Sequence, residues 1–323
     1  MAARRPHRHH GRTATQRGAP FGPGAPGVRG ALATPAYLAA MSLTRRVPER
    51  IASAAYAFGA DVAARRNGAG VRQLRANLAR VVPRAGEDEL DQLVGQAMRS
   101  YARYWCETFR LPALDPAAVH RAVEETATGQ EYLSAARQEG NGVILALPHS
   151  GSWDVAGVWL LGHTGTLMVV VQRLRPERVY RRFVRLRESL GFEVLPTTGG
   201  ARPPSQVLGE RLRDNGVVCL LADRDLTPNG VAVSFFGETT TMPAGPAWLA
   251  ATTGATLLPV GCWFTDQGWG VRVHPPLRVA GVDGIGAATQ ALADVFAADI
   301  AAHPADWHMP QRLWLADPVE ESG

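Results

Sequence analysis

From residue 128 onward the sequence keeps changing rhythm. Short apolar runs, VILAL at 143–147, LMVVV at 167–171, FEVL at 192–195 and VVCLL at 217–221, alternate with stretches of helical spacing and polar turns. A helix running through Ala136 stops at Gly140-Asn141-Gly142, another covers 204–214, and a third lies around Ala247–Thr253 after a Gly/Pro-rich loop. The strands ATLLPVGCWF and GVRVH and a helix over 286–302 complete the series. Parallel strands need a crossover, usually a helix, whereas antiparallel strands can be joined by two residues. The alternation therefore predicts an α/β fold with a largely parallel central sheet flanked by helices.

The part before it is helical. In EDELDQLVGQAMRSYARYWCETFRL the apolar residues Leu90, Leu93, Val94, Met98, Tyr101, Trp105 and Phe109 recur at the spacing of one helix face. Asp88 and its acidic neighbours suit the start of that helix and Arg110 its end. Residues 41–125 are thus expected to form a helical N-terminal part of a single domain over 41–316, with a tail at 317–323. Residues 1–40 contain six arginines and no acid, and without them the net charge falls from +5 to −1. This Arg/Gly/Pro-rich leader is expected to be disordered, with Met41 as the true start. The basicity belongs to the leader, so no nucleic-acid partner is expected. The apolar runs VAGVWLLG and VVCLLA fall well short of the roughly 20 residues that span a bilayer, so no spanning segment is expected. Cys106, Cys219 and Cys262 form no CxxC pair and read as small buried hydrophobes.

Parallel sheets place their sites in the loops at the carboxyl ends of strands. His149 stands there, just after Leu147 and Pro148. Ser152 is placed to cap the next helix, with Asp154 in its first turn and within reach of the His149 ring. A carboxylate on one ring nitrogen fixes the tautomer and leaves the other free to accept a proton. On spacing alone, a capped helix start with a histidine satisfied by backbone fits as well. Asp223 follows the strand VVCLL and so lies at a second strand end. In PERVYRRFVRLRESLG, Val179, Phe183, Leu186 and Leu190 form one stripe, and Arg187 lies roughly 40° from Phe183 beside it. An arginine there needs an anionic partner, or else snorkels from the edge of the stripe. Arg178, Arg181, Arg182 and Arg185 project away, toward solvent, anionic lipid headgroups or phosphates.

The His-x4-Asp spacing of HSGSWD resembles the signature of the glycerolipid acyltransferase superfamily. LPHSGSWDVAG, FVRLRESLGFEVLPTTGG, LADRDLTPNGVAVSFFGETTTMPAGPAWLA and DWHMPQRLW resemble, more narrowly, the actinobacterial phosphatidylinositol mannoside acyltransferases, relatives of the lipid A late acyltransferases. All 34 basic residues are arginine, as a GC-rich coding sequence would favour. The resemblance implies transfer of an acyl chain, typically palmitoyl, from acyl-CoA to a mannose hydroxyl, with His149 as general base and no acyl-enzyme intermediate. It implies that Asp223 pairs with that histidine, although the family often has glutamate there. Asp223 reads equally as a partner of Arg224 or a turn residue. Arg187 would support the site through Asp154 or the donor phosphates. Ser152, Arg224, Gly237 and Glu238 are further candidates for substrate binding, the last two in a loop framing the acceptor, with Glu238 on sugar hydroxyls.

No cofactor beyond acyl-CoA as co-substrate and no metal is expected, because neither HExxH nor a dense His/Asp cluster occurs. A serine hydrolase would need G-x-S-x-G, which the segment lacks. A lipid A-type enzyme using acyl carrier protein and a non-catalytic lipid-binding protein are the alternatives. With a lipid acceptor, a monomer at the cytoplasmic face of the plasma membrane is expected. The N-terminal helices would touch the anionic surface.

Overall fold

The structure, a computed structural model, describes residue 39 and residues 41–317 except 228 and 267. The leader expected to be disordered lies, but for residue 39, outside the described residues. Three helices come first, α1 (Glu49–Arg66), α2 (Ala69–Val81) and α3 (Glu87–Arg110). Then follow α4 (Pro116–Glu124), α5 (Gln130–Glu139), β1 (Val143–Leu147), α6 (Trp153–Thr164) and β2 (Leu167–Val171). After α7 (Glu177–Glu188), β3 (Phe192–Pro196) and α8 (Pro204–Arg213) comes β4 (Val217–Leu221). The chain ends through β5 (Val231–Phe235), β6 (Glu238–Met242), α9 (Gly245–Thr253), β7 (Thr256–Phe264), β8 (Trp269–Val273) and α10 (Ile285–Ala302).

Six strands form one sheet in the order β3-β2-β4-β1-β7-β8, parallel throughout except for the β7–β8 hairpin. β1 lies between β4 and β7 and is buried on both faces, which is why VILAL has no polar alternation. Its side chains nevertheless divide by the pleat. Ile144 and Ala146 join a core with α2, α3, α9 and α10, while Val143, Leu145 and Leu147 join another with α4, α5 and α6. A third, smaller cluster sets Val179, Phe183 and Leu186 of α7 against Phe109 and Met41.

One expectation needs correction. The Gly/Pro-rich loop after β4 contains a second, two-stranded sheet, the antiparallel pair β5–β6. Its two turn residues, Phe236 and Gly237, both have positive φ, 50° and 79°. Such turns usually carry Asn-Gly or Asp-Gly, and a phenylalanine in the left-handed region hides the hairpin. The segment 282–302 is long and apolar enough by length and composition alone to span a bilayer. One face of it packs into the core: Leu292, Ala293, Phe296 and Ile300 are buried, and Asp299 on the same face binds His274 at 2.7 Å. Asp317, the one described residue of the expected tail, is held against the helical layer. It is buried and accepts from Arg80 at 2.7 Å and Gln73 at 2.9 Å.

The C-terminal segment returns to the helical layer through Asn77, which is buried and donates its amide to the carbonyls of Met309 (2.7 Å) and Gln311 (2.9 Å). Asn77→Ala leaves both carbonyls without that donor and is expected to lower stability by about 1–3 kcal/mol, read by urea unfolding.

Candidate active site

β1 and β4 are paired in parallel with Leu147 opposite Leu221. Continuing that register by two residues on each strand sets His149 beside Asp223. The amide of Ala222 donates to the carbonyl of Leu147 at 2.8 Å, carrying the pairing past the strand ends. His149 Nδ1 is 2.5 Å from Asp223 Oδ1, and the backbone N–H of His149 donates to Oδ2 of the same carboxylate at 2.9 Å. Trp307 Nε1 donates to that second oxygen at 3.0 Å. Asp223 has no exposed surface, whereas the His149 side chain is 25% exposed. Burial alone would push the Asp223 carboxyl up. Attraction to His149 and bonds from its ring, its amide and Trp307 together hold it below the usual carboxylate range. An ionised carboxylate can only accept, so Nδ1 carries a hydrogen, and in the neutral ring Nε2 is the nitrogen with the free lone pair.

The turn after His149 depends on Gly151. Its φ is +57°, and a Cβ there would stand 2.7 Å from the backbone carbon of Cys262 and the nitrogen of Trp263 on β7. Ser152 is the residue before α6, but its hydroxyl makes no capping bond. The expected cap is absent: the buried Oγ atoms of Ser150 and Ser152 both lack a protein hydrogen-bond partner.

Asp154 has a different partner from the one its spacing suggested. Its carboxylate receives Arg187 bidentately, Nε to Oδ1 and Nη2 to Oδ2, both at 2.9 Å. Tyr104 OH donates to Oδ2 at 2.9 Å and Thr108 Oγ1 at 3.3 Å. The carboxylate that holds the His149 ring is Asp223. Arg187 reaches Asp154 because it follows Phe183 by one helical turn and lies at the edge of the buried stripe. Burial opposes the Arg187 charge, but Asp154 and the hydrogen bonds to it and Tyr104 raise its pKa. Burial and the neighbouring Asp154 charge push the Tyr104 phenol well above its ordinary value, so it stays a donor. Trp153 lies between Tyr104 and His149, its ring centroid 3.8 Å from that of Tyr104 and meeting His149 edge-on at 5.6 Å.

The other sequence candidates lie in two settings. Arg224 is adjacent to Asp223 and largely enclosed; burial lowers its pKa, Asp223 opposes that, and its Nε has no hydrogen-bond partner. Gly237 belongs to the hairpin turn, and Glu238 forms an ion pair with Arg80 at 3.0 Å. Neither has a contact joining it to His149; the loop expected to frame the acceptor is built here as the turn and second strand of the β5–β6 hairpin. Of the tryptophans, Trp159 is wholly buried, Trp248 is 39% exposed, and Trp263 stacks on His303. Among the outward arginines, Arg181 binds Glu177 and Arg182 reaches Ser42.

Sequence reasoning missed the contribution of DWHMPQRLW. Asp306 accepts from the backbone of Phe264 and from Ser100, and its own carbonyl accepts from Gly151. His308 donates its backbone N–H to the carbonyl of His149 at 2.7 Å, and its ring Nε2 is 3.0 Å from Ser100 Oγ. Burial, then the nearby His149, lowers its pKa to about 3. The sequence signals were the family resemblance of this stretch and its density of Trp and His, and neither states a partner.

A quarter-exposed imidazole backed by a buried carboxylate at the carboxyl edge of a parallel sheet is the equipment of a general base. The chain matches the bacterial lipid A biosynthesis acyltransferase family over residues 29–316 and belongs to it. It is therefore an acyltransferase. It is 54% identical over 285 residues to the phosphatidylinositol mannoside acyltransferase of Mycolicibacterium smegmatis, covering 88% of this chain and 92% of that one. To the protein of the same name in Mycobacterium tuberculosis it is 52% identical over 282 residues, 87% of this chain and 88% of the relative.

Removing one partner of a buried bidentate pair leaves an uncompensated charge. Arg187→Ala is expected to cost about 3–5 kcal/mol in denaturant unfolding, and the double variant Arg187→Met/Asp154→Leu markedly less.

Proposed function

We propose that this acyltransferase moves a fatty acyl chain, palmitoyl in the first instance, from acyl-CoA to a mannose hydroxyl of a phosphatidylinositol mannoside. The observation that carries the reading is the His149–Asp223 pair: Nδ1 is held by a buried carboxylate, and the ring is otherwise available. The relatives' names supply the acceptor. His149 Nε2 takes the hydroxyl proton as the oxygen attacks the thioester carbonyl. The tetrahedral adduct then expels the CoA thiolate, which recovers the proton from the imidazolium. Asp223 stabilises the imidazolium, Trp307 orients Asp223, and Asp154 with Arg187 anchors the helix start that carries Trp153. The reaction calls for no further cofactor, and the chain acts as a monomer at the cytoplasmic face of the plasma membrane.

What supports a membrane contact is α1. Ala52 and Ala60 face inward, while Ile51, Ala54, Ala55 and Phe58 form an exposed stripe on the other side. Ile51 is 60% and Phe58 67% exposed, Leu43 just before the helix is 60% exposed, and Arg46, Arg50, Arg65 and Arg66 flank them. Apolar anchors bordered by arginines suit an anionic interface.

In an assay of CoA release from palmitoyl-CoA, wild type is expected to depend on added phosphatidylinositol mannoside. His149→Ala should lose about 10²- to 10⁴-fold of that rate while keeping its fold by circular dichroism. Acceptor-independent release would make the chain a thioesterase. Turnover only with acyl carrier protein donors would favour a lipid A-type donor, and lipid binding without any turnover a carrier. A second measurement is sedimentation with phosphatidylglycerol-containing vesicles. Ile51→Glu/Phe58→Glu should release most of the protein from the pellet, and unchanged sedimentation would mean another face makes the contact.

A further inference from the structure

Away from His149, two helices meet through groups that acyl transfer does not use. α4 carries His120 and Glu124, four residues apart and so on one face; α6 carries Trp159 and His163 in the same relation. The helices pack together, and a ring nitrogen from each histidine and a carboxylate oxygen of Glu124 lie within 4.8 Å of one another. His120 Nδ1 is 3.2 Å from the carbonyl oxygen of Trp159. That oxygen can only accept, so Nδ1 carries the hydrogen and Nε2 retains its lone pair. Trp159 Nε1 donates to Glu124 Oε2 at 2.6 Å, and His163 Nε2 lies 2.9 Å from the same oxygen.

The support is rigid. Trp159 has no exposed surface, so both the indole that orients Glu124 and the carbonyl that orients His120 belong to a core residue. Gly162 admits His120, since a Cβ there would stand 2.3 Å from His120 Nδ1.

We propose that His120, Glu124 and His163 bind a divalent transition-metal ion, Zn²⁺ in the first instance, which clamps α4 to the last turns of α6. Two neutral imidazoles and one carboxylate form a borderline N₂O donor set with room for water in the fourth position. Mg²⁺ and Ca²⁺ prefer oxygen ligands alone. Ligand atoms about 2.1 Å from a tetrahedral ion stand roughly 3.4 Å apart, so the set closes around an ion by small side-chain rotations. Glu124 and His163 are 42% and 24% exposed, which gives an ion a path from solvent. The outer contacts are the kind that orient metal ligands, a carbonyl behind one imidazole and an indole on the carboxylate. The sequence expectation of no metal rested on motif spacing within one segment, whereas this set joins two helices. The ion would fix the far end of the helix whose first turn holds Asp154.

The leader motif HRHH offers His7, His9 and His10, which would chelate metal themselves. The test therefore uses the untagged full chain carrying His7→Gln, His9→Gln and His10→Gln, dialysed against chelator. Calorimetric titration with Zn²⁺, and Co²⁺ titration read by visible absorption, should each give one equivalent bound. His163→Ala and Glu124→Gln, both at partly exposed positions, should each weaken binding by at least about 10-fold. Zn²⁺ should raise the unfolding midpoint of the parent and not of either variant. No saturable binding, or binding that neither variant weakens, would reduce the cluster to an ordinary His–Glu ion pair and overturn the proposal.

Discussion

The carboxylate of Asp223 is the constraint on which the site depends. A charge with no exposed surface persists only if bonded on all sides, because its desolvation alone costs several kcal/mol. Here the donors are the ring and the backbone amide of His149 and the indole of Trp307. They come from the end of β1 and from a segment more than 80 residues beyond β4. The same carboxylate therefore closes the fold and orients the His149 imidazole. Loss of its charge would loosen the C-terminal segment and the imidazole together. The second carboxylate, Asp154, has its own cation and two hydroxyl donors, so the two acids do not compete for one histidine.

That division has a mechanical consequence. Asp154 ties the first turn of α6 to α3 through Tyr104 and Thr108, and to α7 through Arg187. Trp153, one residue earlier, is thereby pressed between Tyr104 and His149. The His-x4-Asp spacing matters here because it lets one turn present an imidazole while anchoring its far end. Gly151 allows that turn to lie against β7, where any side chain would meet backbone.

How much of this could be read beforehand follows from the range of each interaction. β1 and β4 were legible as apolar runs, and His149 and Asp223 each stand two residues past a strand end. Their pairing followed once the strands were neighbours, a fact of sheet order and not of spacing. Arg187 was legible as a cation on the wrong side of an amphipathic helix, which required an anion. The family resemblance narrowed that anion to Asp154 or the donor phosphates, but helix spacing could not choose, since it places Asp154 near His149 as readily as near α7. The β5–β6 hairpin was hidden by a Phe-Gly turn, so Gly237 and Glu238 were read as loop residues. The contributions of Trp307 and His308 were invisible because they depend on where the chain returns, more than 150 residues after His149.

The return of His308 bears directly on the charge that surrounds the His149 imidazole. Its neighbour must not carry a positive charge, or the imidazolium formed on His149 would be repelled in a low-dielectric setting. Burial lowers His308 to about 3, so it is neutral across the physiological range. Tyr101 is pushed up to about 12 and Tyr104 well above its ordinary value, both chiefly by burial, while Asp223 is held ionised. The charges around His149 are thus fixed on every side before a substrate arrives. A proton taken up by its ring turns a neutral imidazole beside an aspartate into a neutral ion pair. The site then gains no net charge beyond the one its buried carboxylate already balances, and that is the arrangement a developing imidazolium requires.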